Sequence, residues 1–277
     1  MHPPGPQQRS LPLGPDARPR FAGGGFLSAV RLERDRVPDF DGYPFGVPAI
    51  RGLDRLKFHP AVTFFIGENG SGKSTLLEAL AVKLRFNAEG GSRDHTVSTQ
   101  ATHSALHDYL TLERQGHFTD GWFLRAESFY NVASEIQILE EEFGPGPPYR
   151  AYGGKSLHAQ SHGESFLALL CNRLQGGGVY LFDEPEAALS PQRQLSVLTL
   201  LHRLVYHRSQ LIIATHSPIL LSYPHARLYE FGEHGIRETR YEETEHFQVT
   251  RDFLNRHERM LEILLTEEEA DLKSRER

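Results

Sequence analysis

The sequence is poor in several features that would settle its function class at once. Its single cysteine, Cys171, excludes an intramolecular disulfide and favours a reducing, cytoplasmic location. No run approaches the roughly 20 apolar residues that a spanning helix needs, so we predict no membrane insertion. With 30 basic and 36 acidic residues, the net charge of −6 lacks the electrostatic footprint of a DNA-coating protein. The 15 histidines follow neither HExxH nor CxxC…HxxxH spacing, so no structural zinc is predicted.

The length of 277 residues allows one large domain or two small ones. Residues 1–20 contain six prolines and little apolar periodicity, which predicts a disordered tail. We expect the remaining 21–277 to form a single domain. Within it, the polar stretch 85–121 is predicted to be an inserted lobe with some helix around 102–115. Residues 250–265 are predicted to form a C-terminal amphipathic helix that runs into a frayed, charged tail, with one side formed by Phe253, Leu254, His257, Leu261, Leu264 and Leu265.

Short β-rich runs alternate with helical patterns from residue 26 onward. Several runs are apolar throughout, as strands buried on both faces are; the predicted strands are 26–32, 62–66, 122–126, 179–182, 211–215 and 227–231. Helices are predicted over 74–84, from Glu164, and from an N-cap at Ser190 followed by Pro191. The last of these places Leu195, Leu198, Leu201 and Val205 at helical spacing. This alternation predicts an α/β fold with a mostly parallel sheet flanked by helices.

A phosphate-binding loop is predicted directly after the strand 62–66. Residues 67–74, GENGSGKS, satisfy G-x-x-x-x-G-K-[ST] and precede an apolar helix, which is the context that the motif requires. Glycines let backbone N–H groups point at phosphate oxygens, a lysine reaches the β- and γ-phosphates, and a serine hydroxyl binds Mg²⁺. We therefore assign to ATP binding the residues Gly67, Glu68, Asn69, Gly70, Ser71, Gly72, Lys73, Ser74 and Thr75, with Lys73 also catalytic.

Two further motifs complete a hydrolytic site. The strand 179–182 runs into Asp183 and Glu184, which suit a Mg²⁺ ligand and a group that polarises the attacking water. An apolar strand that ends in acidic residues is weak evidence alone, because many strands end at a charged residue, but it becomes strong beside the phosphate loop. His216 follows the strand 211–215, at the end of a sheet where α/β proteins bind ligands. We predict Glu184 and His216 to be catalytic and Ser74 and Asp183 to bind metal.

Together these motifs resemble the ABC-type ATPase superfamily over most of 26–232, which implies a P-loop NTPase fold. Residues 161–165, SHGES, are similar to its LSGGQ signature: Ser161 and Gly163 match, whereas His162 and Glu164 depart. Residues 187–191 take the place of its D-loop, and His216 that of its switch histidine. The resemblance implies an ATP-driven head-to-tail homodimer, in which Ser161 and Gly163 of one subunit close on the phosphate bound by the other.

The motifs GENGSGKST and ATHSP are more similar to those of RecF, SMC-like and OLD-like ATPases than to those of transporter cassettes. FLRAESFYN and EAALSPQRQ resemble small stand-alone bacterial predicted AAA-type ATPases. The superfamily's metal-contacting glutamine has no clear match after the strand 122–126, so Glu127 is assigned as its metal-binding substitute and Gln137 is the alternative. Candidates for base contact are Arg31, Arg34, Phe45 and Phe58, each of which could equally serve packing or the surface.

The sequence thus predicts an ATP- and Mg²⁺-dependent ATPase whose dimer switches a partner, plausibly in DNA maintenance or defence. Two alternatives stay open: a nucleotide-binding subunit of an ABC transporter, and an ATP-binding switch with negligible turnover. DNA binding stays open: no basic block is present, yet a dimer could assemble a positive groove from dispersed residues such as Arg85, Arg93, Arg150 and Lys155, which could equally be solvated surface charges.

Overall fold

The computed structural model describes residues 25–88, 90–91, 104–125, 176–187 and 189–275, together with 167, 170, 171, 173 and 174. Its strands are β1 (Leu27–Leu32), β2 (Arg55–Lys57), β3 (Val62–Ile66), β4 (Leu110–Arg114), β5 (Asp120–Arg125), β6 (Gly178–Asp183), β7 (Gln210–Ala214), β8 (Arg227–Gly232) and β9 (Gly235–Thr239). The α-helices are α1 (Pro48–Arg51), α2 (Lys73–Lys83), α3 (Pro191–Tyr206), α4 (Pro218–Leu221) and α5 (Glu245–Arg275). Short 3₁₀ turns lie at Arg34–Arg36, Ala105–Tyr109 and Tyr241–Glu243.

The central sheet has six strands in the order β5-β6-β7-β3-β8-β9. All neighbours in it are parallel except β8 and β9, which form an antiparallel hairpin. A second, antiparallel sheet has the order β2-β1-β4. The predicted α/β class with a mostly parallel sheet flanked by helices is therefore confirmed.

The core lies on both faces of the central sheet, as the continuously apolar strands predict. Along β3, Phe64 packs on the side of α3 and α4, whereas Phe65 packs on the side of α2. The predicted face of the phosphate-loop helix is buried in full at Leu76, Leu77, Leu80, Ala81 and Leu84.

The face predicted for α3 is partly wrong. Ser190 and Pro191 do occupy the N-cap and first helical positions. Leu195, however, is 50% exposed, and the buried residues are Val197, Leu200, Leu201, Leu204 and Val205. The buried stripe of α3 therefore begins at Val197, two residues later than predicted.

Two other segments differ in the structure from what the sequence predicts. Within 102–115 the structure has a 3₁₀ turn and then the strand β4, whose pairing with β1 makes it part of the second sheet. The C-terminal helix runs from Glu245 to Arg275, beyond the predicted 250–265 and through the charged segment, with a non-helical residue at Arg256. Much of its predicted apolar side is exposed, Leu254 by 70% and Leu265 by 60%. The division into a tail, one domain and an inserted lobe stays a prediction.

Register brings the strand ends to one edge. Arg125 of β5, Asp183 of β6 and Ala214 of β7 lie side by side, and Ala214 pairs with Phe65 of β3. The phosphate loop, Glu184 and His216 therefore leave the sheet next to one another. No helix among the described residues has both the length and the apolarity to cross a membrane.

Candidate active site

The phosphate loop connects β3 to α2 through backbone conformations that require glycine. Gly67 has φ +137°, and a Cβ there would lie 2.2 Å from the carbonyl oxygen of Phe231. Gly72, at the N-cap of α2, has φ +101°. Glycine permits the positive φ angles and the close backbone approach that this tight loop requires. The loop therefore curls against the start of α2, whose N-terminal N–H groups face it.

Lys73 is buried within this loop. Its Nζ donates to the carbonyl oxygens of Gly67 (2.7 Å) and Glu68 (2.8 Å). Burial lowers the pKa of Lys73, and the nearby carboxylates of Glu184 and Asp183 oppose that shift. The lysine is thus a cation held among acceptors, at the position where a phosphate would meet it.

Ser74 and Asp183 join the loop to the acidic strand. Ser74 Oγ donates to Asp183 Oδ1 over 2.9 Å. Arg125 lies beside them, with its Nε 3.6 Å from Asp183 Oδ2 and its Nη1 3.0 Å from Glu78 Oε2. A hydroxyl and a carboxylate oxygen are ligands that Mg²⁺ prefers, and this ion usually takes its remaining ligands from water and substrate phosphates. The pair therefore fits a magnesium ion carried with a nucleotide.

Glu184 has a strained backbone. Its φ is +50°, an uncommon conformation for a residue with a side chain, and its N–H donates to Ala214 O over 2.9 Å. That bond continues the pairing of β6 with β7 one residue beyond the strand. Strain of this kind is maintained by its surroundings and clusters at functional sites. The carboxylate Oε1 lies 3.5 Å from His216 Nε2.

His216 is held from two sides. Its backbone N–H donates to Glu186 Oε1 over 2.6 Å, and its Nδ1 lies 3.1 Å from Nε2 of His246, in the first turn of α5. Burial lowers the pKa of His216, and the positive charge of Lys73 acts in the same direction. Glu186 is itself buried, which raises the pKa of its carboxyl group.

Glu184, His216 and His246 border a cavity of about 960 Å³. Its walls are the loop residues 67–71, Glu184, His216, the turn between β8 and β9, and the first turns of α5. Within the described part of the chain, the buried Ser71 Oγ and His216 Nε2 have no hydrogen-bond partner. Buried polar atoms without partners are rare in folded proteins. Both residues line the cavity, so a polar ligand such as a triphosphate could supply the missing partners.

Four predicted positions, Ser161, Gly163, Glu127 and its alternative Gln137, lie outside the described residues. Thr75 follows Ser74 in α2, and its Oγ1 lies 3.5 Å from the hydroxyl of Tyr43. Asn69 and Gly70 line the cavity mouth.

The candidates for base contact make other contacts in the structure, and a role toward the nucleobase stays a prediction. Phe45 and Phe58 are buried in the core on the α2 side of the sheet. Arg34 donates to the carbonyl oxygens of Arg51 and Leu53, and Arg31 pairs with Glu33. Tyr43, which is 72% exposed beside Thr75, was not among these candidates.

Three further residues at the site escaped the sequence reasoning. Glu186 belongs to the DEPEAA segment, two residues after Glu184, and that proximity was a usable signal. Arg125 is the penultimate residue of the predicted strand 122–126, but its place beside Asp183 depends on strand order. His246 lies in a stretch without a motif, so nothing in the local sequence indicates its contact with His216.

Two family models match parts of the chain. Residues 45–120 match a model described as "AAA domain". Residues 165–222 match one described as "AAA domain, putative AbiEii toxin, Type IV TA system". The first segment contains the phosphate loop, and the second contains Asp183, Glu184 and His216.

The chain is also 27% identical over 234 residues to ATP-binding cassette sub-family A member 7 of Rattus norvegicus. That match covers 77% of this chain, which spans about a tenth (10%) of the relative's length.

Among solved structures, the SMC head domain from Thermotoga maritima aligns at 15% identity with a TM-score of 0.44, covering 78% of this chain and 98% of the other. The ADP conformation of an ATP-binding cassette of an ABC transporter aligns at 19% identity with a TM-score of 0.45, covering 78% and 91%. Two segments of the chain thus match AAA-domain models, which is consistent with the resemblance of its motifs to ABC-type ATPases.

Proposed function

We propose that this protein binds ATP with Mg²⁺ at the loop 67–75 and hydrolyses it to ADP and phosphate. One observation carries the proposal: Ser74 Oγ meets Asp183 Oδ1 at 2.9 Å, although 109 positions separate them in the chain. This contact joins the start of the phosphate-loop helix to the end of the acidic strand. The AAA-type matches over both segments support it.

The proposed role of each residue follows from its chemistry. Backbone N–H groups of 67–72 and the Lys73 ammonium would hold the phosphates, and Thr75 adds a hydroxyl at the same helix end. Ser74 and Asp183 would hold Mg²⁺, with Glu127 as the further metal ligand proposed from sequence. When bound, Mg²⁺ neutralises charge on the phosphates. The ion matters here because Glu184, Glu230 and Glu245 also line the cavity and would repel an unaccompanied triphosphate.

Glu184 and His216 would act on the attacking water. The left-handed backbone of Glu184 turns its side chain away from the strand, toward His216. A carboxylate there can accept a proton or orient water, and an imidazole N–H can stabilise charge on the transferred phosphoryl group.

The ATPase assay tests this directly. We expect Lys73→Ala to lose ATP binding and Glu184→Gln to lower kcat by about 10²–10⁴-fold while retaining binding, because general-base catalysis contributes about that much. Lys83→Ala, at the far end of the same helix, is the matched control. Removal of Mg²⁺ with EDTA should weaken ATP binding in a titration. Parental turnover in either Lys73→Ala or Glu184→Gln would contradict the proposal.

We further propose that ATP drives a head-to-tail homodimer, completed by Ser161 and Gly163 of the second subunit, which switches a partner in DNA maintenance or defence. The match of 165–222 to a model whose description includes a toxin–antitoxin system favours defence. Glu184→Gln should form a longer-lived dimer in size exclusion with ATP and Mg²⁺. ATPase rates with and without double-stranded DNA across a salt series test DNA as the partner.

A second candidate is the nucleotide-binding subunit of an ABC transporter. The 27% identity to a cassette protein favours it. Co-purification with a membrane protein would support this candidate and count against the stand-alone switch. A single-turnover assay separates an ATPase from an ATP-binding switch with negligible turnover.

A further inference from the structure

His246 connects the C-terminal helix to the hydrolytic site. It is the second residue of α5, and its Nε2 lies 3.1 Å from His216 Nδ1. The two rings are tilted by 45° with centroids 5.3 Å apart, and both are partly buried. A distance of 3.1 Å between ring nitrogens requires one of them to donate and the other to accept.

The opposite edge of His216 decides the direction of that bond. Its Nε2 faces Glu184 Oε1 at 3.5 Å. The contact is longer than a hydrogen bond, but carboxylate oxygens accept and do not donate, so electrostatic attraction favours the imidazole proton on the nitrogen that faces them. A neutral imidazole has one N–H, which leaves Nδ1 of His216 as an acceptor. His246 Nε2 must then be the donor.

Both rings lie where the neutral form is favoured. Burial lowers the pKa of His216 and of His246, and the Lys73 charge lowers both further. Glu184 acts against this shift for His216, as do Glu245 and Glu230 for His246. With one proton on each ring, the contact has a single consistent arrangement.

We propose that His246 is a positioning residue for His216: it fixes the tautomer whose Nε2–H points at Glu184 and holds the ring in place. This inference rests on the proposed function, in which His216 acts beside Glu184. An outer partner that fixes a histidine's tautomer commonly contributes 10- to 100-fold to the function of the inner one, as known for metal-bound histidines. Since His246 lies in α5, that helix becomes part of the catalytic apparatus.

Two substitutions of His246 distinguish hydrogen-bond donation to His216 from side-chain packing. His246→Leu fills the space without a donor, whereas His246→Gln keeps an N–H near the position of Nε2. We expect His246→Leu to lower kcat for ATP by roughly tenfold or more with KM within about twofold, and His246→Gln to recover most of the loss. His257→Leu, at an exposed histidine of the same helix, is the matched control. Equal losses in the Leu and Gln variants, or none in either, would overturn the proposal.

A nuclear magnetic resonance measurement tests the tautomer without hydrolysis. In ¹⁵N-histidine-labelled full-length protein, the His216 ring is assigned by its loss in His216→Asn. We expect protonated Nε2 and bare Nδ1 in the parent and in His246→Gln, and averaged signals in His246→Leu. A proton on Nδ1 in the parent would overturn the proposal, even where His246→Leu fails to fold. Absent turnover with the expected tautomer would reject the ATPase function and leave the positioning role standing.

Discussion

Gln210 provides a stability test whose magnitude follows from the hydrogen bonds in the structure. Its side chain is fully buried at the start of β7. Its Oε1 accepts from the backbone N–H of Leu27 (2.8 Å), and its Nε2 donates to the carbonyl oxygens of Leu27 (2.7 Å) and His59 (3.0 Å). One side chain thus joins the antiparallel sheet to the central one.

The substitution Gln210→Met keeps the length and shape but removes all three bonds. Each buried group left without a partner destabilises by roughly 1–3 kcal/mol, so the N–H and carbonyl of Leu27 together give about 2–6 kcal/mol, and we take about 3 kcal/mol as the expected loss. This is a large share of the roughly 5–15 kcal/mol that stabilises a typical domain. The loss should come from the junction of the two sheets, and β1 should loosen first.

Urea unfolding followed by circular dichroism measures the effect. With a slope of about 3 kcal/mol per molar, a loss of 3 kcal/mol moves the midpoint down by about 1 M. The control is Gln248→Met, the same change at an exposed glutamine, which should stay within about 0.5 kcal/mol. If Gln210→Met unfolds too early to measure, amide exchange at Leu27 in the parent provides a second test. A Gln210→Met midpoint equal to that of Gln248→Met would refute the reasoning.

Two further changes test the buried polar groups. Burial raises the pKa of Glu186 above its unfolded value, so the native carboxyl favours its protonated form and the associated stability is lost as pH rises through the folded pKa. We therefore expect Glu186→Gln to raise the thermal midpoint at pH 7.5, with a gain that shrinks toward pH 4; a gain independent of pH would contradict this. The buried Tyr180 donates to Asp120 Oδ2 over 2.6 Å, so Tyr180→Phe should destabilise by roughly 1–3 kcal/mol in urea unfolding. Tyr206→Phe, at a tyrosine that is 72% exposed, should not, and equal effects at both sites would count against the assignment.

Local patterns were sufficient for the strands of the parallel sheet and for the backbone of the phosphate loop. The strands at 62–66 and 179–182 lie where mostly apolar runs predicted them, because a strand buried on both faces needs such a run. The glycines at 67 and 72 have the positive φ angles that the loop requires. Periodicity was less reliable where burial depends on the neighbour, and so Leu195 was placed on the wrong face of α3.

The sequence by itself determined which residues are candidates for binding phosphate and metal, and in which order they follow the strands. Only the tertiary structure decided their partners, such as Gln210 with Leu27 across 183 positions and His246 with His216 across 30. It also decided that the apolar side of α5 is exposed. The physical reason is that periodicity depends on the geometry of one element, whereas side-chain contacts depend on how elements pack, and distant residues meet only after the sheet and its register have formed.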